Sequence, residues 1–138
     1  MIEISTDRTQ MDVAAIHRYL SEESYWAKGI PRDVVERAIA HSLCVGAFDE
    51  NVQVGFARVI SDQATFAYVA DVFVLPSHRG RGISKQIMSA LMTHPDLQGL
   101  RRWHLVTRDA HGLYASFGFA PLDAPERHMG FVVRNAYR

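Results

Sequence analysis

The sequence predicts a mixed α/β (α+β) fold in a single domain over residues 1–138. Three observations lead there. The chain has 138 residues with 48% hydrophobic and 22% charged side chains, ordinary globular usage with room for one domain of about 100–200 residues. Strand-like runs follow one another directly in its middle, as antiparallel neighbours do. Strand and helix then alternate, as a parallel crossover requires.

Residues 2–5 read as a short strand. Thr9 is placed to cap a helix through Val13, Ile16 and Leu20, spaced i, i+3, i+7. Pro31 suits the first turn of a second helix carrying Val34, Val35, Ala38 and Ile39. Leu43–Phe48 and Val52–Ile60 read as strands, with Asp49-Glu50-Asn51 as the hairpin connection. The run from Phe66 to Leu75 is apolar on both parities, the mark of a central strand covered on both faces. Pro76 ends it. A turn rich in Gly and Arg then opens a helix with Ile83, Ile87, Met88, Leu91 and Met92 on one side. Trp103–Thr107 is a further strand. A short helix over Ala110–Phe117 follows, with Asp109 as its cap and Gly118 at its end. A last strand is expected over Arg127–Val133. The order is β-α-α-β-β-β-α-β-α-β.

Fifteen Lys and Arg balance fifteen Asp and Glu. A domain that wraps nucleic acid carries a basic excess, so that function class is not supported. Cys44 is the one cysteine, so neither an intrachain disulfide nor a multi-cysteine zinc site can form, and in strand-like sequence it reads as a small core residue. The seven histidines show no His-Glu-x-x-His and no convincing ligand spacing, so no metal is expected. No apolar run reaches the roughly 18 residues of a membrane helix, and the start lacks a secretory pattern, so a cytoplasmic protein is expected.

The stretch that carries chemistry is Asp71-Val72-Phe73-Val74-Leu75-Pro76-Ser77-His78-Arg79-Gly80-Arg81-Gly82-Ile83-Ser84. A buried strand feeds a glycine-containing turn, and the turn opens a helix. Gly80 and Gly82 let the backbone approach an anion closely. The free N–H groups of the helix's first turn favour negative charge. Arg79 and Arg81 add two cations. These parts make a phosphate or pyrophosphate cradle. It is not a Rossmann turn, because Lys85 occupies the third small-residue position, and no Walker A pattern occurs.

Arg79-Gly80-Arg81-Gly82-Ile83-Ser84 resembles the Arg/Gln-x-x-Gly-x-Gly/Ala motif of the GNAT superfamily of N-acetyltransferases, with Ser84 in the last position. Ala110-His111-Gly112-Leu113-Tyr114-Ala115-Ser116-Phe117-Gly118-Phe119 is similar to the family's Ala-x-x-Leu-Tyr-x-x-x-Gly-Phe. The two lie at the family's separation, with a helix and a strand between them. Thr107 stands where many members carry a cofactor-contacting Asn. The resemblance implies a sheet splayed between the Phe66–Leu75 and Trp103–Thr107 strands. It implies acetyl-CoA as co-substrate, its pantetheine arm along Val72, Phe73 and Val74 by strand addition, and its pyrophosphate on the N–H groups from Arg79 to Lys85.

The implied reaction is direct acetyl transfer to a primary amine, with a small molecule as the expected acceptor. By the same resemblance Tyr114 protonates the leaving thiolate, and the Val74 N–H faces the thioester oxygen. Asp71, an acid in an apolar strand, reads equally as a base or amine-binding group and as the ion-pair partner of Arg58. Arg58 could grip an acceptor carboxylate or pair with Asp71 or Asp62. Tyr25 and Trp26 could wall the acceptor pocket or belong to the core. A non-catalytic acyl-CoA-binding module and an RNA-directed acetyltransferase are the alternatives. Exposed strand edges leave room for a homodimer.

Overall fold

The computed structural model describes residues 1–137. Strands β1 (Ile2–Ser5), β2 (Leu43–Asp49), β3 (Val52–Ser61), β4 (Phe66–Val74) and β5 (Arg102–His104) form one sheet in that spatial order. Its helices are α1 (Val13–Glu22), α2 (Arg32–Ala40), α3 (Ile83–Met92) and α4 (His111–Ala115). β1 to β4 pair antiparallel, and β5 joins β4 in parallel after the α3 crossover.

Local chemistry sets the element ends. Glu50 and Asn51 both have positive φ (49° and 67°), so β2 and β3 meet in a two-residue I′-type turn and Asp49 belongs to β2. Asp12, not Thr9, caps α1: its carboxylate accepts from the Ala15 N–H at 3.1 Å. Thr9 instead lies in a preceding 3-10 turn, where both its N–H and its hydroxyl donate to Asp7. Pro31 stands immediately before α2.

The core lies on both sides of the sheet. Ile83, Ile87, Met88 and Leu91 of α3 pack with Val45, Ala57, Val59, Ala67 and Val69 on one face. Ile16, Leu20, Val35 and Ile39 of α1 and α2 pack with Cys44, Phe56 and Phe73 on the other. Burial pushes the Cys44 thiol up to about 11.

β4 is therefore covered on both faces, but two irregularities shape it. In its pairing with β3, Asp71 and Val72 stand opposite Ala57 alone, a bulge. Asp71 takes φ +56° there. The bulge breaks alternation: Ala67 and Val69 face α3, whereas Phe73 faces α1 and α2, and Val74 takes over the α3 side. Secondly, β5 pairs with β4 only at Phe66↔Arg102, Ala67↔Trp103 and Tyr68↔His104. Past Tyr68 the two strands part, and this is the splay. β5 stops at His104 instead of Thr107 because the chain turns away at this point.

The expected strand over Arg127–Val133 does not form. A 3-10 turn covers Pro125–Arg127, and the following residues join no sheet. β5 offers an edge only three residues long, too short to recruit them. The ring of His128 stacks on His104 (6.0 Å between centroids), and Met129, Phe131, Val132 and Val133 point into solvent.

Candidate active site

The splay leaves backbone groups of β4 without a strand partner. The Leu75 N–H donates to Val54 O on the β3 side at 2.8 Å. Strand alternation then turns the N–H and C=O of Val74, and those of Val72, toward the gap beyond β5. Arg79 supports this direction, because its Nε donates to Val74 O at 3.0 Å across the turn. Its Nη2 donates to the Tyr19 hydroxyl at 2.9 Å. The Arg79 guanidinium thus fixes the turn against β4 and α1, in addition to carrying positive charge.

Gly80 and Gly82 have φ +80° and +74°, and Gly82 is the residue that opens α3. A Cβ at either position would meet no protein atom within 4 Å, so the glycines answer a backbone requirement and leave open space in front of them. No side chain caps α3. The N–H groups of Ile83, Ser84 and Lys85 therefore face that space without an intrahelical partner. Arg81 and Lys85 are exposed beside it. His78 closes one side, its Nε2 2.8 Å from Asp49 Oδ2 and its Nδ1 2.7 Å from Ser77 Oγ. The His78 hydrogen bond holds the Asp49 carboxyl below its ordinary range, helped by the chain amino terminus and Arg81.

Tyr114 projects from α4 into the same region and is buried. Burial, then the neighbouring Tyr25 and Asp109, push its hydroxyl up to about 12. Asp109 does not cap α4. No side chain does: Ala110 holds the N-cap position, and Thr107 Oγ1 accepts the Ala110 N–H at 3.1 Å in the turn ahead of the helix. Gly118, at φ +95°, ends the helical segment, and the Phe119 N–H returns to Tyr114 O at 3.2 Å.

Two cavities meet at Tyr114. One, about 480 Å³, is lined by Val72, Val74, Arg79, Gly80, Gly82 and Ser84 among others. The second, about 420 Å³, is lined by Arg58, Tyr68, Asp71 and Thr107, with Tyr137 reaching in from the chain's end. Tyr25, Trp26, Val72 and Tyr114 border both.

Tyr25 and Trp26 are not core residues; they are 46% and 41% exposed. The Tyr25 ring carries the Arg108 guanidinium at 3.9 Å, and its hydroxyl accepts the Arg108 N–H at 3.1 Å. Trp26 Nε1 donates to Asp71 Oδ1 at 2.8 Å.

Arg58 Nε donates to Asp71 Oδ2 at 2.6 Å, and Nη1 to Ser42 Oγ at 3.2 Å. Asp71 is thus the partner of Arg58. Asp62 instead accepts the N–H groups of Ala64, Thr65 and Phe66 in its own loop. His111 is exposed and lines neither cavity. Sequence reasoning missed Tyr68 and Tyr137 as cavity walls. Tyr68 carried a signal, a phenol inside an otherwise apolar strand; Tyr137 carried none.

A family model described as an acetyltransferase (GNAT) domain matches residues 40–121. A Gibberella zeae protein named as an acetyltransferase is 33% identical over a 133-residue alignment, covering 80% of this chain and 74% of that protein. A crystal structure from Xanthomonas campestris pv. campestris, described as a GNAT-family acetyltransferase, is 58% identical with a TM-score of 0.96. It covers 99% of this chain and 96% of its own, so the likeness takes in the carboxy-terminal segment. A Clostridium acetobutylicum acetyltransferase solved with acetyl-CoA shares the fold at 18% identity, with a TM-score of 0.68 over 94% of this chain and 100% of that one.

Proposed function

The chain belongs to the GNAT family of acetyltransferases, and on that premise we propose that it transfers an acetyl group from acetyl-CoA directly to the primary amine of a small molecule. One observation carries the reading. The two left-handed glycines and the uncapped head of α3 open onto the same cavity as Tyr114 and the free edge of β4. Among the described residues nothing fills the space a Cβ would occupy at Gly80 or Gly82, and backbone N–H groups line it, which suits a diphosphate.

Each residue then has a task. The N–H groups from Arg79 to Lys85 hold the pyrophosphate, with Arg81 and Lys85 as additional cations. Val72 and Val74 pair by strand addition with the amides of the pantetheine arm, while Phe73 turns its side chain to the opposite core. The Val74 N–H donates to the thioester oxygen as negative charge builds there. Tyr114, kept protonated by burial, donates to the departing sulfur.

The second cavity takes the acceptor. Tyr25 and Trp26 wall it where it joins the first. Asp71 faces it, already holding the Arg58 guanidinium and the Trp26 indole. Both of its oxygens are already engaged, so Asp71 serves here as the amine-binding group that attracts the incoming ammonium, and the proton leaves to solvent. Arg58 holds that carboxylate in place instead of gripping an acceptor carboxylate.

The test is a thiol-release screen over amino acids, polyamines, aminoglycosides and peptides, repeated with Tyr114→Phe. The reading predicts release with a small-molecule amine and its loss in the variant. Acetyl-CoA uptake with no release across the whole panel would instead identify a binding module.

A further inference from the structure

The second cavity, about 420 Å³, is selective both in what lines it and in what it lacks. Five aromatic side chains border it: Tyr25, Trp26, Tyr68, Tyr114 and Tyr137. Their own partners hold them. Trp26 is tied through Nε1 to Asp71 and stands at 83° to the Tyr25 ring, 5.0 Å away. The Tyr68 ring stacks on His104 at 5.7 Å and 21°. These walls are set before a ligand arrives, which lowers the ordering cost of binding.

Charge narrows the ligand further. Among the described residues, the charged side chains that line the cavity are Arg58, Asp71 and Asp109, one positive and two negative. The balance takes one cationic centre. Arg58 has already given Nε to Asp71 and Nη1 to Ser42. A carboxylate or phosphate brought to that guanidinium would lie against the Asp71 carboxylate, and like charges repel. A second ammonium is no better placed. It would give up its water to aromatic rings alone, and one face of Tyr25 already carries Arg108 at 3.9 Å. An aromatic body, by contrast, takes roughly 150–250 Å² out of water and packs edge or face against the rings present.

We infer that the acceptor is an arylalkylamine: a primary amine joined to an aromatic ring by a short saturated tether, with no carboxylate or phosphate. The tether is needed because an amine bonded directly to a ring is neutral at pH 7. An alkylamine, like the lysine side chain with its pKa of about 10.4, arrives as the ammonium that Asp71 attracts. The nitrogen points toward Tyr114, which borders both cavities, and the ring toward Tyr68 and Tyr137, which border this one alone. The nitrogen sheds two protons as its bond to the acetyl carbon forms and the C–S bond breaks. One leaves to solvent; the other, by way of Tyr114, ends on the thiol of coenzyme A. The turnover rests on the acetyltransferase reading; the fit of the ligand to the cavity does not.

Matched acceptors test this in the full chain at saturating acetyl-CoA. Thiol release is compared for 2-phenylethylamine, for phenylalanine, which adds a carboxylate to that skeleton, and for 1,4-diaminobutane, which replaces the ring with a second ammonium. The expected kcat/KM for 2-phenylethylamine is about tenfold or more above either. Calorimetry of 2-phenylethylamine into the chain saturated with coenzyme A needs no turnover. Saturable uptake of one equivalent is expected, weakened several-fold in Tyr137→Ala, whose acetyl-CoA affinity is unchanged because Tyr137 does not line the cofactor cavity. Release with phenylalanine or 1,4-diaminobutane at an equal or higher kcat/KM overturns the inference. So does an absence of 2-phenylethylamine uptake, or uptake that Tyr137→Ala leaves unaltered. The expected uptake without release from any amine overturns the acetyltransferase reading instead and supports the ligand inferred for the cavity.

Discussion

In the proposed reaction Tyr114 and Asp71 take different tasks, and each makes a distinct prediction. Tyr114→Phe keeps the ring and its packing but removes the proton donor. Turnover should fall on the order of 10²-fold, with acetyl-CoA affinity nearly unchanged. Because burial raises the hydroxyl to about 12, Tyr114 stays protonated through the neutral range. Its titration should therefore cause no alkaline loss of kcat near its ordinary value of 10.0. A loss there that disappears in Tyr114→Phe would contradict the assignment. Asp71→Asn leaves the Arg58 guanidinium, 17% exposed, without its counter-charge. Thermal or urea unfolding should report a cost of about 2–4 kcal/mol, partly recovered in the double substitution Asp71→Asn/Arg58→Met. If Asp71 binds the ammonium, the single variant raises the acceptor KM and leaves the acidic limb of the rate profile in place. A lost limb would instead make Asp71 the base.

Two elements build the site, and each contains a feature that only partly shows in the residues. The turn before α3 was readable, because its two glycines mark the left-handed backbone that Gly80 and Gly82 in fact adopt. Gly82→Ala places a Cβ in left-handed backbone at a cost of about 1–2 kcal/mol and pushes that Cβ into the open space of the cradle. Both a lowered melting temperature and weaker acetyl-CoA binding are expected. Gly82→Asn, which tolerates the backbone, should recover stability but not binding. The bulge in β4 was not readable. Asp71 is the residue that adopts φ +56°, yet no glycine or proline marks it, and its register depends on Ala57 in the neighbouring strand. The same holds for α4, where Ala110 takes the N-cap position that Asp109 suggested and no side chain caps the helix. Asp is a competent cap by residue type, but backbone direction decides whether its side chain reaches the helix.

For the molecule as a whole, apolar periodicity marked the helix faces that are buried. α3's Ile83, Ile87, Met88 and Leu91 form the expected face and lie at 0–2% exposure. Ile87 abuts Gly55 of β3, where an added Cβ would come within 3.0 Å of its Cδ1. Ile87→Ala should cost about 2–5 kcal/mol by chemical denaturation, since so close-packed a site cannot collapse around the void. Periodicity failed at the chain's end for an equally physical reason. Strand propensity over Met129–Val133 is real, but a strand needs an edge to pair with, and β5 ends after three residues. The relation between layers and the proposed function is simpler: the core packs β4 on both faces while the early end of β5 leaves open the edge to which the proposal assigns the cofactor. Calorimetric titration of acetyl-CoA into the purified chain, with Gly82→Ala alongside, tests this most directly. Saturable uptake of one equivalent by wild type, weakened about tenfold in the variant, is the predicted result. No uptake by wild type, or equal affinity in both proteins, would contradict it.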